Sequence, residues 1–99
     1  MIELPITSLG TLNQFISDYG DIVLKYVMLK IDLEWEQDYI DMFTFEGSAY
    51  VARVYSKDYV NALDEALEVF VKNEQFEDAA KCRDLITKIN VESVIRFES

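Results

Sequence analysis

The sequence predicts an α+β fold with an N-terminal helix, a small antiparallel β-meander and a C-terminal antiparallel helical hairpin. Two changes of hydrophobic period lead to this expectation. Apolar residues have helical spacing near the N-terminus, alternate from Val27 onwards, and return to helical spacing after Ser56. With 99 residues, 51% of them hydrophobic, we expect one domain over 1–99, with a helix and sheet region at 1–55 and the hairpin region at 56–99.

The first predicted element is a helix over residues 8–19. Ser8 or Thr11 would cap its start, and Gly20 would end it, because glycine is unfavourable inside a helix and common just after one. We expect this helix to pack against the rest of the chain, and nothing in it suggests chemistry. The apolar residues with helical spacing are Leu12, Phe15 and Ile16.

The second region predicts strands. Over 27–36, apolar residues alternate with mostly charged ones, which is the pattern of a half-buried strand. The segments 39–45 and 50–55 are rich in aromatic and β-branched residues, and the Gly-Ser pair at 47–48 predicts a turn between them. A helix over 38–45 is the alternative. The residues that would form its apolar face are Tyr39, Met42 and Phe43.

The third region predicts two antiparallel helices. Ser56 would cap the first helix, whose apolar residues advance by three and four positions, as in a seam between packed helices. The pattern breaks at Asn73 or Glu74 and restarts at Phe76, so a short turn should join the helices. The first helix supplies Val60, Leu63, Leu67 and Phe70 to the seam, and the second supplies Phe76, Ala79, Ala80, Ile86 and Ile89.

A recognisable series of residues opens the second helix of this hairpin. It has an aromatic residue, an acidic residue, a pair of alanines, an arginine-aspartate pair and an aliphatic residue: Phe76, Glu77, Ala79, Ala80, Arg83, Asp84 and Ile86. The series resembles the UVR motif, the short helix-loop-helix module of the excision-repair proteins UvrB and UvrC. Cys82 departs from it, since the family usually has leucine there, but cysteine keeps an apolar contact.

The resemblance implies a non-catalytic module that docks to a protein partner through the hairpin, with a homodimer as one form of that docking. The same residues could instead bury against this protein's own sheet, and the sequence leaves that alternative open. Arg83 and Asp84 are interpreted as a solvated pair, because exposed ion pairs contribute at most ~1 kcal/mol. The predicted partner-binding residues are Leu63, Leu67, Phe70, Phe76, Ala79, Ala80, Arg83 and Ile86.

The composition is strongly acidic. Nineteen Asp and Glu residues against nine Lys and Arg residues give a formal net charge of -10. Direct binding to nucleic acid is not expected, because it requires a basic cluster and the chain contains none. A protein partner with a basic surface would complement this charge, although the charge also keeps a protein soluble.

A run of six acidic residues between Lys30 and Arg53 predicts an alternative function. It could act as an acidic decoy, a phage-type inhibitor that mimics nucleic acid in the basic cleft of a DNA- or RNA-binding protein. Alternate strand residues lie ~6.6 Å apart and DNA phosphates ~3.4 Å, so a second acidic row would be needed. A charged outer strand face also prevents edge aggregation. The six residues are Asp32, Glu34, Glu36, Asp38, Asp41 and Glu46.

Catalysis, a metal and a cofactor are not expected. The chain has no histidine, its one cysteine lies in a predicted helix, and it has no glycine-rich phosphate loop. A calcium loop starting at Asp32 fails because Gln37 replaces the required glycine and Phe43 the closing glutamate. Charges interrupt the most apolar segment, 22–33, so no membrane span is expected. The single cysteine and the lack of a signal-peptide pattern predict a cytoplasmic protein.

Overall fold

The computed structural model describes residues 2–6, 9–47 and 49–98. The fold class is α+β, as predicted, with a three-stranded sheet, a long helix and a C-terminal helical pair. In chain order the elements are β1 (Ile2–Leu4), α1 (Leu9–Glu34), β2 (Tyr39–Phe45), β3 (Val51–Tyr55), a 3-10 turn (Ser56–Asp58), α2 (Tyr59–Lys72) and α3 (Phe76–Glu98).

The sheet has the strand order β1-β2-β3. β2 pairs antiparallel with β3, with Tyr39 opposite Tyr55, which confirms these two strands and excludes the alternative helix over 38–45. β1 runs parallel to β2, with Ile2 opposite Phe43, so the sheet is not a simple meander. Parallel neighbours need a crossover connection, and α1 provides it.

The strand predicted over 27–36 is wrong, because this segment belongs to α1 and to the turn after it. Helical spacing decides which side chains are buried here. Leu29 and Leu33, which the predicted strand would bury, are 44% and 81% exposed. The Lys30 ammonium lies 2.6 Å from the Glu34 carboxylate one helical turn on, which adds support for the helix. The buried residues are Val27, Met28 and Ile31.

The helix predicted over 8–19 is interrupted close to its predicted end. Tyr19, next to Gly20, has the non-helical angles φ -131° and ψ 15°, so α1 consists of two helical segments that meet at a kink there. The second segment, which was not predicted, continues past Gly20, because burial of its apolar face exceeds the cost of about 1 kcal/mol for glycine in a helix. Thr11 lies within α1 rather than at a cap, and Ser8 lies outside the described residues.

One turn joins the two antiparallel strands β2 and β3, and a second turn follows β3. Gly47 has φ +72°, a left-handed conformation that suits glycine, which confirms the turn there, and Ser48 lies outside the described residues. Ser56 begins a 3-10 turn instead of capping α2. The Ser56 backbone N–H donates to the Asp38 carbonyl at 2.8 Å, which joins the start of this turn to the segment before β2.

One hydrophobic core takes side chains from β1, β2 and all three helices. α1 packs on β2, and α2 packs against both α1 and α3. The inner face of the hairpin is therefore covered by the chain's own residues. The buried residues are Leu4, Ile6, Val27, Met28, Ile31, Ile40, Met42, Phe43, Tyr59, Leu63, Ala66, Phe70, Ala79, Cys82, Leu85 and Ile89.

Candidate functional site

A tight turn over residues 73–75 reverses the chain between α2 and α3. The Gln75 backbone N–H donates to the Phe70 carbonyl at 2.8 Å, and the Glu74 N–H donates to the Val71 carbonyl at 3.1 Å. Glu74 has φ 59°, so these bonds form a Schellman motif with a glutamate in the left-handed position usually taken by glycine. The helix break predicted at this point is confirmed.

The inner face of α2 agrees with the predicted seam at Leu63 and Phe70 and differs from it at the other two positions. Val60 and Leu67, predicted in the seam, are half-buried at its edge. The Tyr59 hydroxyl donates to the Gln37 carbonyl at 2.7 Å, and burial raises the pKa of this hydroxyl. This bond fixes the start of α2 to the segment that follows α1. The buried residues of α2 are Tyr59, Leu63, Ala66 and Phe70.

Cys82 lies at the centre of the contact between the two hairpin helices. Its side chain is fully buried, and its Sγ lies 2.9 Å from the Leu63 carbonyl, to which the thiol donates. Burial, aided by the nearby charge of Asp64, raises the pKa of the Cys82 thiol to about 11. The thiol is therefore protonated at neutral pH and packs as a small apolar group, as the sequence predicts.

The eight predicted partner-binding residues fall into two groups. Leu63, Phe70 and Ala79 lie in the chain's own core, with exposed fractions of 0%, 0% and 7%. The other five reach the surface. Phe76 and Arg83 are exposed, and Arg83 faces Asp84 at 3.7 Å with both side chains largely in solvent. The half-buried members are Leu67, Ala80 and Ile86.

Three apolar side chains within two helical turns of the hairpin turn are left wholly or partly in solvent, and together we call them the hairpin-tip patch. It consists of Leu67, Val71 and Phe76, of which Val71 is 51% and Phe76 63% exposed. Leu67 and Val71 also line a shallow groove with Glu68 and Lys72. Val71 was missed by the sequence reasoning. Its spacing four residues after Leu67 could have identified it.

The rim of the hairpin-tip patch is acidic. Five exposed carboxylates from α2, the turn and α3 lie within two turns of the patch residues, against three exposed cations, Lys72, Lys81 and Arg83. Such an excess of negative charge favours a basic partner surface and disfavours a second copy of itself. The five acidic residues are Asp64, Glu65, Glu68, Glu74 and Glu77.

The six residues of the acidic run do not form the expected row on one strand. Asp32 and Glu34 are on α1, Asp41 is on β2, and the others lie in the connections that flank β2. Glu34 and Asp41 are paired with cations of this chain. Glu34 contacts Lys30 at 2.6 Å, and Asp41 contacts Arg53 at 2.6 Å.

The Arg53 guanidinium connects this charge pair to exposed aromatic rings of the sheet. It lies 4.0 Å from the centre of the Tyr39 ring, and its hydrogen bond to Asp41 raises the pKa of the arginine. Tyr39 in turn meets Tyr55 edge to face, with 6.3 Å between ring centres. Asp41 therefore has a structural partner within the sheet.

Metal-binding geometry is not found in the part of the chain that the structure describes. No group of three or more acidic or cysteine side chains there could hold an ion. The segment tested as a calcium loop begins inside α1, where a helix replaces the loop conformation that calcium binding needs. Across the same residues, no helix combines the length and apolarity needed to cross a membrane.

The sequence of the hairpin matches a known sequence motif. Residues 57–92 match the UvrB/uvrC motif, UVR. The matched UVR segment contains α2, the turn and most of α3, and it confirms the resemblance that the sequence predicts for the C-terminal hairpin. A UVR motif indicates a protein-interaction or DNA-repair-related module. The searches of curated proteins and of solved structures gave no match to this chain.

Proposed function

We propose that this protein is a non-catalytic interaction module that docks to a protein partner through the hairpin-tip patch. Two observations support the proposal. The UVR match covers the hairpin, and the patch brings exposed apolar side chains of that hairpin to its turn. Exposed apolar side chains within a polar rim are typical of docking sites.

Phe76 is the proposed anchor of the interface. Its ring is the largest side chain of the patch and is 63% exposed at the first position of α3. Aromatic side chains that enter a partner's pocket commonly contribute 2 kcal/mol or more, which is about 30-fold in affinity. Leu67 and Val71 would exclude water around it.

The acidic rim gives the proposal its partner chemistry. We propose an apolar pocket in the partner, bordered by lysine or arginine side chains that face Glu68, Glu74 and Glu77. Two copies of this chain would bring like charges together at this surface, so the partner should be a different protein. The buried, protonated Cys82 thiol is compatible with the reducing cytosol, where we place this interaction.

Affinity capture with matched variants tests the assignment. The wild type, Phe76→Asp and Val91→Asp are each immobilised and incubated with extract from the cells that produce the protein. Val91 is a fitting control because it is 51% exposed on the same helix but lies far from the turn. We expect Phe76→Asp to lose at least about 90% of a bound protein that Val91→Asp retains. Equal capture by both variants, each folded by circular dichroism, would refute the patch.

The alternative proposal is the acidic decoy. The effect of salt concentration on the affinity for the partner distinguishes it from hairpin docking. Pairing of Glu34 and Asp41 with cations of this chain leaves fewer carboxylates to imitate phosphates. Binding carried by exposed carboxylates should weaken steeply with ionic strength and fail on reversal of Asp32, Glu36 and Asp38 to lysine. A complex that survives both changes would exclude the decoy.

A further inference from the structure

Helix α1 carries a second apolar face that lies mostly in solvent; of its four residues only Tyr26 packs against the core, with its ring centre 5.3 Å from that of Phe43. The residues concerned follow one another by four, three and four positions, which is the spacing of a coiled-coil seam. Ile22, Leu29 and Leu33 are 62%, 44% and 81% exposed, and Tyr26 is half-buried. We call this surface the α1 stripe: Ile22, Tyr26, Leu29 and Leu33.

The α1 stripe lies on the side of the helix opposite to the core. At 100° per residue, the stripe residues cluster within about 60° of one another, and the buried residues Val27, Met28 and Ile31 are centred about 175° away. α1 is therefore apolar on two opposite faces, and the stripe packs into this chain only through Tyr26. Leu33, at 81% exposure, is the most exposed large apolar side chain among the described residues.

Charges beside the α1 stripe indicate what covers it. Lys25 and Asp32 are seven residues apart on the same edge of the stripe, with Lys30 on the opposite edge. Two copies packed in parallel would place Lys25 next to Lys30 of the second copy, which is repulsive. Two antiparallel copies would place Lys25 next to Asp32 of the second copy, and two-fold symmetry makes that pair twice.

We propose that the α1 stripe is the interface of an antiparallel homodimer. In this register Ile22 packs against Leu33 of the second copy and Tyr26 against its Leu29, and symmetry repeats both contacts. Each apolar residue of the stripe then contacts an apolar residue of the second copy. This surface differs from the hairpin-tip patch, whose rim carries more exposed carboxylates than cations. Each subunit would keep one hairpin free for its partner.

The net charge of each chain sets the salt dependence of this dimer. Two chains of formal charge -10 repel each other at long range, and added salt screens that repulsion. The apolar contacts of the stripe do not depend on screening. We therefore expect dimerisation to strengthen between low and physiological ionic strength, which is the opposite of the salt dependence of a charge-driven complex.

Sedimentation equilibrium over a range of protein concentrations tests the proposal. We expect the wild type to dimerise and the double variant Ile22→Glu, Leu33→Glu to weaken dimerisation at least about 100-fold, because it buries carboxylates in an apolar seam. Both side chains are exposed in the monomer, so this variant should fold. Val91→Glu adds the same kind of charge at another exposed apolar position and should leave the dimer intact.

A charge exchange tests the antiparallel register separately. Asp32→Lys alone should weaken the dimer about tenfold, and Lys25→Glu combined with Asp32→Lys should restore it to within about threefold. Lys25 also contacts Asp78 at 3.5 Å, but at 50% side-chain exposure that pair is a weak structural contact. A wild type that stays monomeric, a double variant that still dimerises, sensitivity to Val91→Glu, or failure of the charge exchange to restore the dimer would each overturn the proposal.

Discussion

The two phenylalanines of the hairpin should differ sharply in their contribution to stability. Phe70 is fully buried, and truncation of a buried phenylalanine to alanine costs about 3–5 kcal/mol. Phe76 is 63% exposed, so only about a third of its surface is buried and can be lost on truncation. Full burial is worth about 1.5–3 kcal/mol, which makes the expected cost of Phe76→Ala about 0.5–1 kcal/mol. The difference of at least about 2 kcal/mol separates a core residue from a surface residue.

Urea denaturation monitored by circular dichroism measures both variants. Equal slopes with different midpoints would show that stability alone has changed. In thermal unfolding, we expect Phe70→Ala to melt about 8–16 °C or more below Phe76→Ala. A Phe70→Ala chain already unfolded without urea agrees with the same reasoning. Similar midpoints for both variants would refute the division of the hairpin into an inner face and a free outer patch.

Two further predictions concern the turn and the buried thiol. Glu74→Gly should stabilise the protein by about 0.5–1 kcal/mol, because Glu74 has φ 59°, whereas Asn73→Gly at φ -90° should not; a lower urea midpoint for Glu74→Gly would contradict this. The pKa of the Cys82 thiol is raised from 9.0 to about 11, so between pH 9 and 11 the unfolded chain loses a proton that the folded chain keeps. Stability should therefore fall over that range by on the order of 2–3 kcal/mol more in the wild type than in Cys82→Ala, as equilibrium unfolding at several pH values would measure.

The hairpin could be predicted from the sequence because several local signals agree there. Apolar spacing, a break at Asn73 or Glu74 and small residues at Ala79 and Ala80 all favour two packed helices, and the structure confirms them. Strands β2 and β3 were likewise predicted by their aromatic and β-branched residues. In both regions, local preference and tertiary packing select the same conformation.

The second segment of α1, after the kink at Tyr19, was not predicted because its sequence satisfies two periods at once. Over 27–36 the apolar residues alternate along the sequence, as in a strand. In the helix, some of these residues face the core and others face the solvent. Because both faces are apolar, residues from the two faces fall two positions apart and imitate the period of a strand. β1 was missed for a different reason. Three residues carry little pattern, and its pairing with Phe43 is a long-range contact.

The candidate site was only partly predictable, because the sequence cannot tell which apolar residues of a helix the rest of the chain will cover. Leu63 and Phe76 are both large apolar residues at helical spacing, yet one is 0% and the other 63% exposed. The difference depends on where α1 and the sheet lie. Val71 was overlooked and Phe70 included for the same reason.

This division also decides which part of the UVR match bears on function. Ala79 and Cys82 are buried between the helices, so any sequence that forms this hairpin needs small or apolar residues at these two positions. Phe76 and Glu77 are exposed, and folding does not require an aromatic and an acidic side chain at those positions. A function common to UVR hairpins should therefore depend on these two exposed positions more than on the alanines. Binding that tolerates Phe76→Asp but not a conservative change at Ala80 would place the docking surface elsewhere on α3.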